Sequence, residues 1–192
     1  MPTIFSHPAA ALGIAPWFRR VPRSLVAVAA ICSALPDADV AAFGYGIPYV
    51  HPLGHRGFTH SITFAVLLAA FAAFSYRRLT KSDVSFRVAF AFLFLVIVSH
   101  GLLDAMTNGG KGVGFFVPFS NQRFFFPFRP IRVSPIGMED FAEKAAVVLG
   151  SELRWVWAPF AGLAILGFAT RRKRDGGLGP IENQKTDHRS VT

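Results

Sequence analysis

Six residues of this chain combine types and positions that suit metal chemistry: His7, Asp37, Asp39, His60, His100 and Asp104. Each stands at the end of an apolar segment. A charge inside a membrane segment costs roughly 2.5 to 3.5 kcal/mol on insertion scales, so residues kept there usually have a task. Imidazole nitrogen and carboxylate oxygen are together the donors of a divalent-metal site, at about 2.0 to 2.2 Å for zinc, and they also suit manganese or iron. His100 and Asp104 are four apart, which on a helix places both side chains on one face, within reach of one ion. Pro36-Asp37-Ala38-Asp39 puts two carboxylates on a broken helix end, where irregular backbone is tolerated if it lines a polar cavity. In His55-Arg56-Gly57-Phe58-Thr59-His60-Ser61, His60 falls in the first turn of an apolar helix, and His55 is expected to support the ligands or to face substrate. Taken singly, the His-x-x-x-Asp pair is as well read as a carboxylate orienting an imidazole, and the aspartate pair as a helix stop. Five or six candidates from four segments at one depth favour the metal. His51 reads as a solvated interfacial histidine, and the single Cys32 leaves no thiolate set, so nitrogen and oxygen must hold any ion.

Five apolar segments must position these residues. The chain has 192 residues, 52% of them hydrophobic, and a mean hydropathy of +0.41, too apolar for an ordinary soluble domain of this size. The first segment, about 4–18, is short and interrupted by Pro8, Gly13 and Pro16. It is not expected to be a secretory signal peptide, since no basic residue precedes it and Arg19, Arg20 and Arg23 follow. The second, about 24–43, should break or kink at Pro36. The third, about 59–76, has Thr59 or Ser61 as N-cap and Arg77, Arg78 and Lys81 at its close. The fourth, about 86–106, stops at Asn108-Gly109-Gly110. The last, about 153–169, ends in Arg171-Arg172-Lys173-Arg174. The expected fold class is all-α, a small polytopic membrane helical bundle with a metal site at one face. The expected division is a membrane-embedded domain over 1–170 and a basic, then disordered, tail over 171–192. Helix contacts should use the small residues of Ala27–Ala34 and Ala69–Ala73.

The net charge of +9 does not call for nucleic acid, because the basic residues gather at segment ends. Thirteen of the 20 Lys and Arg residues fall on one side of the five-segment topology, which by the excess of basic residues in cytoplasmic loops is the inner side. The amino terminus is then outside, the carboxyl terminus inside, and all six candidate residues face outward.

The early histidine, Pro36-Asp37-Ala38-Asp39, His55-Arg56-Gly57-Phe58-Thr59-His60-Ser61, and His100-Gly101-Leu102-Leu103-Asp104 with Thr107 together resemble the YdjM-type inner-membrane metal-dependent hydrolases. Val117-Pro118-Phe119-Ser120 and Phe126-Pro127-Phe128-Arg129-Pro130-Ile131 also look typical of that group. More distantly the plan is similar to zinc-dependent phospholipase C and the single-strand-specific zinc nucleases. The resemblance implies location in the bacterial inner membrane, phosphoester hydrolysis, and His7, Asp37, His60, His100 and Asp104 as ligands with Asp39 beside them. The soluble relatives carry further histidine motifs that this chain lacks, and His188 in the tail cannot replace them. One or two ions are therefore expected rather than three, zinc first and manganese as an alternative. Glu139, Asp140, Glu143 and Glu152 read as a solvated amphipathic helix rather than a second site.

A bound divalent ion would lower the pKa of water towards about 7 and polarise an ester oxygen, with Asp39 or Asp37 as general base. Arg56, Arg123 and Arg129, with His55, are the expected substrate-binding groups, since guanidinium binds phosphate in bidentate fashion. Phe124, Phe125, Phe126 and Phe128 look like a wedge that could enter lipid. Membrane lipids are the expected partners, and a phosphate-containing or lipid-linked molecule the expected substrate. Two other classes stay open: a transporter or metal and proton relay, which would spread such residues through the bilayer, and a non-catalytic interaction protein, which would close a metal site with four ligands.

Overall fold

Pro36 sets the shape of the second segment. An interior proline removes one backbone donor and crowds the preceding turn, and here the regular helix α2 (Arg23–Ala34) ends just before it. The chain continues in the same direction as a tighter 3-10 helix from Leu35 to Tyr45, closed by Gly46 at φ 72°. Asp37 and Asp39 sit in the first turns of that tighter stretch and are buried.

The computed structural model describes residues 1–135 and 138–176. It is helical, with no strand among the described residues. Four helical stretches are long and apolar enough to cross a membrane: Arg23–Tyr45, Ile62–Thr80, Phe86–Ala105 and Phe141–Lys173. After a short α1 (Ala9–Ile14) and α2 come α3 (Ile62–Thr80) and α4 (Phe86–Ala105), and then α5 (Met138–Glu152) runs through a π-helical turn at Leu153–Trp157 into α6 (Ala158–Gly176). Ser61 caps α3 by accepting from the Phe64 N–H at 3.0 Å, and Ser85 caps α4 by accepting from Val88 at 3.3 Å. Of the two cap candidates for α3, Thr59 is committed elsewhere, to Asp39.

The first segment is not one of these four stretches. Prolines at 8 and 16 leave room for only six residues of regular helix, followed by a 3-10 turn over Ala15–Trp17 and an extended Phe18. The segment nonetheless runs beside the last helix: Trp157 donates to Ser6, Trp17 to the Leu163 carbonyl, and Arg171 to the Arg19 carbonyl. From Trp157 to Arg171 is about 21 Å at 1.5 Å per residue, short of a hydrocarbon core about 30 Å thick. Gly13 allows this approach, because a Cβ there would lie 2.7 Å from the Phe160 ring.

Helix α4 is the centre of the bundle, packed on α3 and α2. Its Phe92, Leu93, Val96 and Ile97 meet Leu25 and Ala29 of α2 and Ala65, Ala69, Ala72 and Ala73 of α3 in one buried cluster. Small residues thus bring α3 against its neighbours, as expected for helices that associate without a solvent-driven term. In α2 only Ala29 of the alanine run is fully buried, and Ala27 faces outward. The last helix is longer than expected at both ends. It passes through 171–176, so the expected boundary at 170 falls inside α6. The rest of the tail, 177–192 with His188, lies outside the described residues.

Candidate metal centre

Four elements deliver the site to one end of the bundle. His7 comes from the turn before α1, Asp37 and Asp39 from the 3-10 extension of α2, His60 from the 3-10 turn before α3, and His100 with Asp104 from the last turns of α4. All six are buried. The connection from Thr107 to Ile131 folds back over them: Gly114 donates to the Arg56 carbonyl at 2.8 Å, Ile62 to Phe115 at 3.0 Å, and Phe126 to Ala105 at 3.0 Å. Gly101 lets α4 pass close to this turn, since a Cβ there would lie 2.8 Å from the His60 carbonyl.

One ligand atom each from Asp37, His60, His100 and Asp104 lie within 4.8 Å of one another. His60 Nε2 is 3.6 Å from Asp37 Oδ1, 3.3 Å from Asp104 Oδ2 and 3.0 Å from His100 Nε2, and His100 Nε2 is 3.4 Å from Asp37 Oδ1. A tetrahedron whose corners stand 2.0 to 2.1 Å from its centre has edges of about 3.3 Å. Four of the six donor-atom separations, 3.0 to 3.6 Å, are thus close to the edge of a small divalent ion's shell, and all lie within 4.8 Å.

Protonation leads to the same conclusion. His100 Nδ1 lies 2.7 Å from the Ser33 carbonyl, which can only accept, so Nδ1 carries the proton and Nε2 presents a lone pair. Thr59 donates to Asp39 Oδ2 at 2.6 Å and stands 3.0 Å from His60 Nδ1, which is also 3.2 Å from that same carboxylate oxygen. His60 Nδ1 is thus a donor as well. Nε2 then faces Nε2 at 3.0 Å, a separation that needs a cation between the two rings, either a metal ion or a shared proton. Asp37 has no hydrogen-bond partner on either carboxylate oxygen, Asp104 has only its ion pair with Arg56, and His7 has no partner on either ring nitrogen. The three buried carboxylates of the centre face the Arg56 guanidinium and, beside Asp104, the amino terminus of Met1, so at least one negative charge remains before any imidazole is counted. Buried charge of that size is stable only when compensated, and these His and Asp groups can hold a metal ion.

The surrounding shell differs from the sequence expectation. Asp39 is engaged on both oxygens, by His55 Nδ1 at 2.6 Å, the Arg56 N–H at 3.1 Å and Thr59. His55 is buried against it. Arg56 is fully buried, with Nε 2.9 Å from Asp104 Oδ2, Nη1 donating to the Gly109 carbonyl and Nη2 to Thr107 Oγ1. Its donors are committed to the protein, and its backbone holds φ 60°, a conformation costly for any residue but glycine and characteristic of functional loops. Gly110, at φ 88°, leaves room for that guanidinium, because a Cβ there would lie 2.8 Å from Arg56 Nη1. Arg123 donates to the carbonyls of His55 and Tyr49, both at 2.9 Å, and covers the Tyr49 ring, fastening one loop to the other. Burial pushes the Tyr49 phenol above its ordinary value, so it remains neutral at physiological pH. Arg129 is exposed over the Phe125 ring.

The phenylalanine wedge is likewise divided. Phe124 packs on the buried Phe115 cluster, while Phe126 and Phe128 remain exposed, the latter against Trp155. Of the acidic residues expected on a solvated helix, Glu143 is exposed and Glu139 and Asp140 have side chains outside the described set. Glu152 is buried and accepts from the Thr3 N–H, Thr3 Oγ1 and Ser6 Oγ. His51 is exposed, as read.

A helical bundle with four membrane-length helices and a buried His and Asp centre at one end defines a polytopic membrane protein with a metal-competent site. The chain belongs to the YdjM inner membrane protein family, whose model matches residues 1–175. It is 38% identical over 177 residues to the inner membrane protein YbcI of Escherichia coli (strain K12), an alignment that covers 91% of this chain and 100% of that protein. It is thus a multi-pass inner-membrane protein. No solved structure matches it.

Proposed function

We propose that the chain is a metal-dependent hydrolase of phosphoesters, with zinc, in one or two ions, as the first candidate metal and manganese as the alternative. The observation that carries this reading is the pair of Nε2 atoms at 3.0 Å, with Asp37 Oδ1 3.4 Å from His100 and Asp104 Oδ2 3.3 Å from His60. His60, His100, Asp37 and Asp104 would hold the ion. His7 stacks on His100 with ring centroids 3.6 Å apart and adds a fifth donor, its Nε2 lying 3.6 Å from Asp37 Oδ2. A divalent ion there supplies Lewis acidity and lowers the pKa of water towards about 7.

The protein's own part is orientation and proton transfer. Asp39 and the Ser33 carbonyl fix the two imidazoles, and Arg56 fixes Asp104. With Asp39 committed, the base is Asp37, whose Oδ2 has no hydrogen-bond partner. It takes a proton from the attacking water as the new P–O bond forms, and returns it to the alcohol oxygen as the ester bond breaks. The basic residues at the other end of the bundle argue for a cytoplasmic carboxyl terminus and a site on the outer side. A relay across the membrane has less support, because Val88–Val98 of α4 carries no polar side chain below the site. Nucleic acid is not expected as a partner.

The test is purified protein assayed with zinc and manganese on phosphomonoesters, phosphodiesters and carboxylic esters, beside His100→Ala. Divalent-dependent phosphoester cleavage that the variant loses is the expected result. Full metal content without cleavage of any ester would leave a structural metal site and end the hydrolase reading.

A further inference from the structure

Asp37 is shared by two features, the donor set and an apolar groove on the flank of α2. The groove, about 640 Å³, lies between Ile4 and Pro8 on one side and Ala30, Ile31, Leu35 and Val40 on the other, with Asp37 in its wall. Ile31 and Leu35 stand exposed, and Ala38 between Asp37 and Asp39 is exposed as well. A second groove shares Ala30 and continues along the same flank over Leu12, Val26, Ala27 and Phe168 to Arg23 and Arg171. From Asp37 to Arg23 the joined trough follows the helix for about 21 Å at 1.5 Å per residue, two-thirds of a hydrocarbon core about 30 Å thick.

An apolar flank on a membrane helix ordinarily meets bulk lipid and signifies nothing more. This one differs because it ends on a carboxylate that is 3% exposed, has no hydrogen-bond partner, and belongs to a metal-competent set. A trough that is apolar along its length and cation-competent at one end matches an anionic amphiphile in both polarity and charge. We propose that the trough seats the hydrocarbon chain of a phosphorylated membrane lipid, which enters sideways from the bilayer and brings its phosphate to the Asp37 end. This rests on the phosphoester reading and names its substrate class. Sideways entry also fits a centre that Arg56, Arg123 and the 107–131 connection close from above.

The experiment uses the full chain in dodecyl maltoside loaded with zinc, and hexadecyl phosphate bearing a diazirine at the end of its chain. After photolysis, labelled residues are mapped by peptide mass spectrometry. Label should concentrate on α2 and α1 around Val26, Ala27 and Leu12, and unlabelled hexadecyl phosphate should reduce it about tenfold, whereas hexadecanol should not. Ala34→Phe and Ala38→Trp, at two further positions that line the groove and would fill it, should reduce labelling while metal content stays at the wild-type level. Label spread equally over the exposed Leu67 and Phe71 of α3, or competed equally by the alcohol, overturns the proposal even if the variants fold poorly, because both are read on the wild-type chain. In that case, retained cleavage of phenyl phosphate would keep the hydrolase reading. Focused, phosphate-dependent labelling without cleavage of any ester would keep the trough and remove the hydrolase.

Discussion

Asp39 holds His60 by the back of its ring: Asp39 Oδ2 lies 3.2 Å from Nδ1, so the opposite nitrogen, Nε2, is the one left to face Asp37, His100 and Asp104. A carboxylate behind a ligating imidazole fixes its tautomer and raises its basicity, and removing such a partner typically costs about 10- to 100-fold in metal affinity. Asp39→Ala should therefore weaken zinc binding by that order without abolishing it, whereas Asp37→Ala, which removes a donor, should abolish it. Chelator-competition titration separates the two. Wild-type affinity in Asp39→Ala would show that the orientation of His60 does not depend on this carboxylate.

Arg56 is to Asp104 what Asp39 is to His60. Its side chain reaches Asp104, the Gly109 carbonyl and Thr107 together, which a single ammonium cannot do. Breaking a buried ion pair on one side costs roughly 3 to 5 kcal/mol, because the remaining charge is left uncompensated. Arg56→Lys and Arg56→Ala should both lower the unfolding temperature of metal-free protein, and excess zinc should restore part of the loss by binding Asp104. Pairing Arg56→Ala with Asp104→Asn should recover stability but not metal binding. Thermal unfolding in detergent, with and without zinc, checks all three.

The buried His and Asp residues that the fold gathers were legible in the sequence because each stands where an apolar segment ends, and the helix period places His100 beside Asp104. Pro36 announced the break that carries Asp37 and Asp39. The roles of the arginines were not legible. Arg56 and Arg123 look like phosphate clamps by residue type, yet their donors are taken by backbone carbonyls of loops whose path is set by long-range packing. Local signals also missed the Ser33 carbonyl behind His100, 67 residues away, although Thr59 immediately before His60 could have been read as its partner. Hydropathy also does not register that Pro8 and Pro16 limit the regular helix of the first segment to six residues.

Glu152 holds the segment that carries His7. Its carboxylate accepts from the Thr3 N–H, from Thr3 Oγ1 at 2.6 Å and from Ser6 Oγ at 2.6 Å, just before the π-helical turn whose Trp157 also binds Ser6. Hydrogen bonds to a charged group contribute about 1.5 to 3 kcal/mol each. Glu152→Gln keeps the shape but replaces one acceptor oxygen with a donor, so at least one of these contacts must fail. Limited proteolysis should then cleave near residues 3–8 faster than in wild type, with α3 and α4 unaffected. Unchanged protection of that segment would show that packing of α1 on α6 holds it without the carboxylate.

Metal removal should destabilise the site end of the bundle more than the core. Without a metal ion, Asp37 is buried with no hydrogen-bond partner, Asp104 keeps only its ion pair with Arg56, and His60 and His100 oppose Nε2 to Nε2 at 3.0 Å. A ligand present at 100 times its dissociation constant stabilises the folded state by about 2.7 kcal/mol. EDTA should therefore lower the unfolding temperature, and zinc should restore it in wild type but not in His100→Ala or Asp104→Ala. Hydrogen exchange should place the loosening in residues 35–60 and 105–131, while Phe92, Leu93 and Val96, sealed in the α2–α3–α4 cluster, keep their protection. The same experiment separates a metal centre from a polar network. A network held by protons alone would show no response to EDTA, and the two variants would then differ from wild type by the same amount with or without zinc.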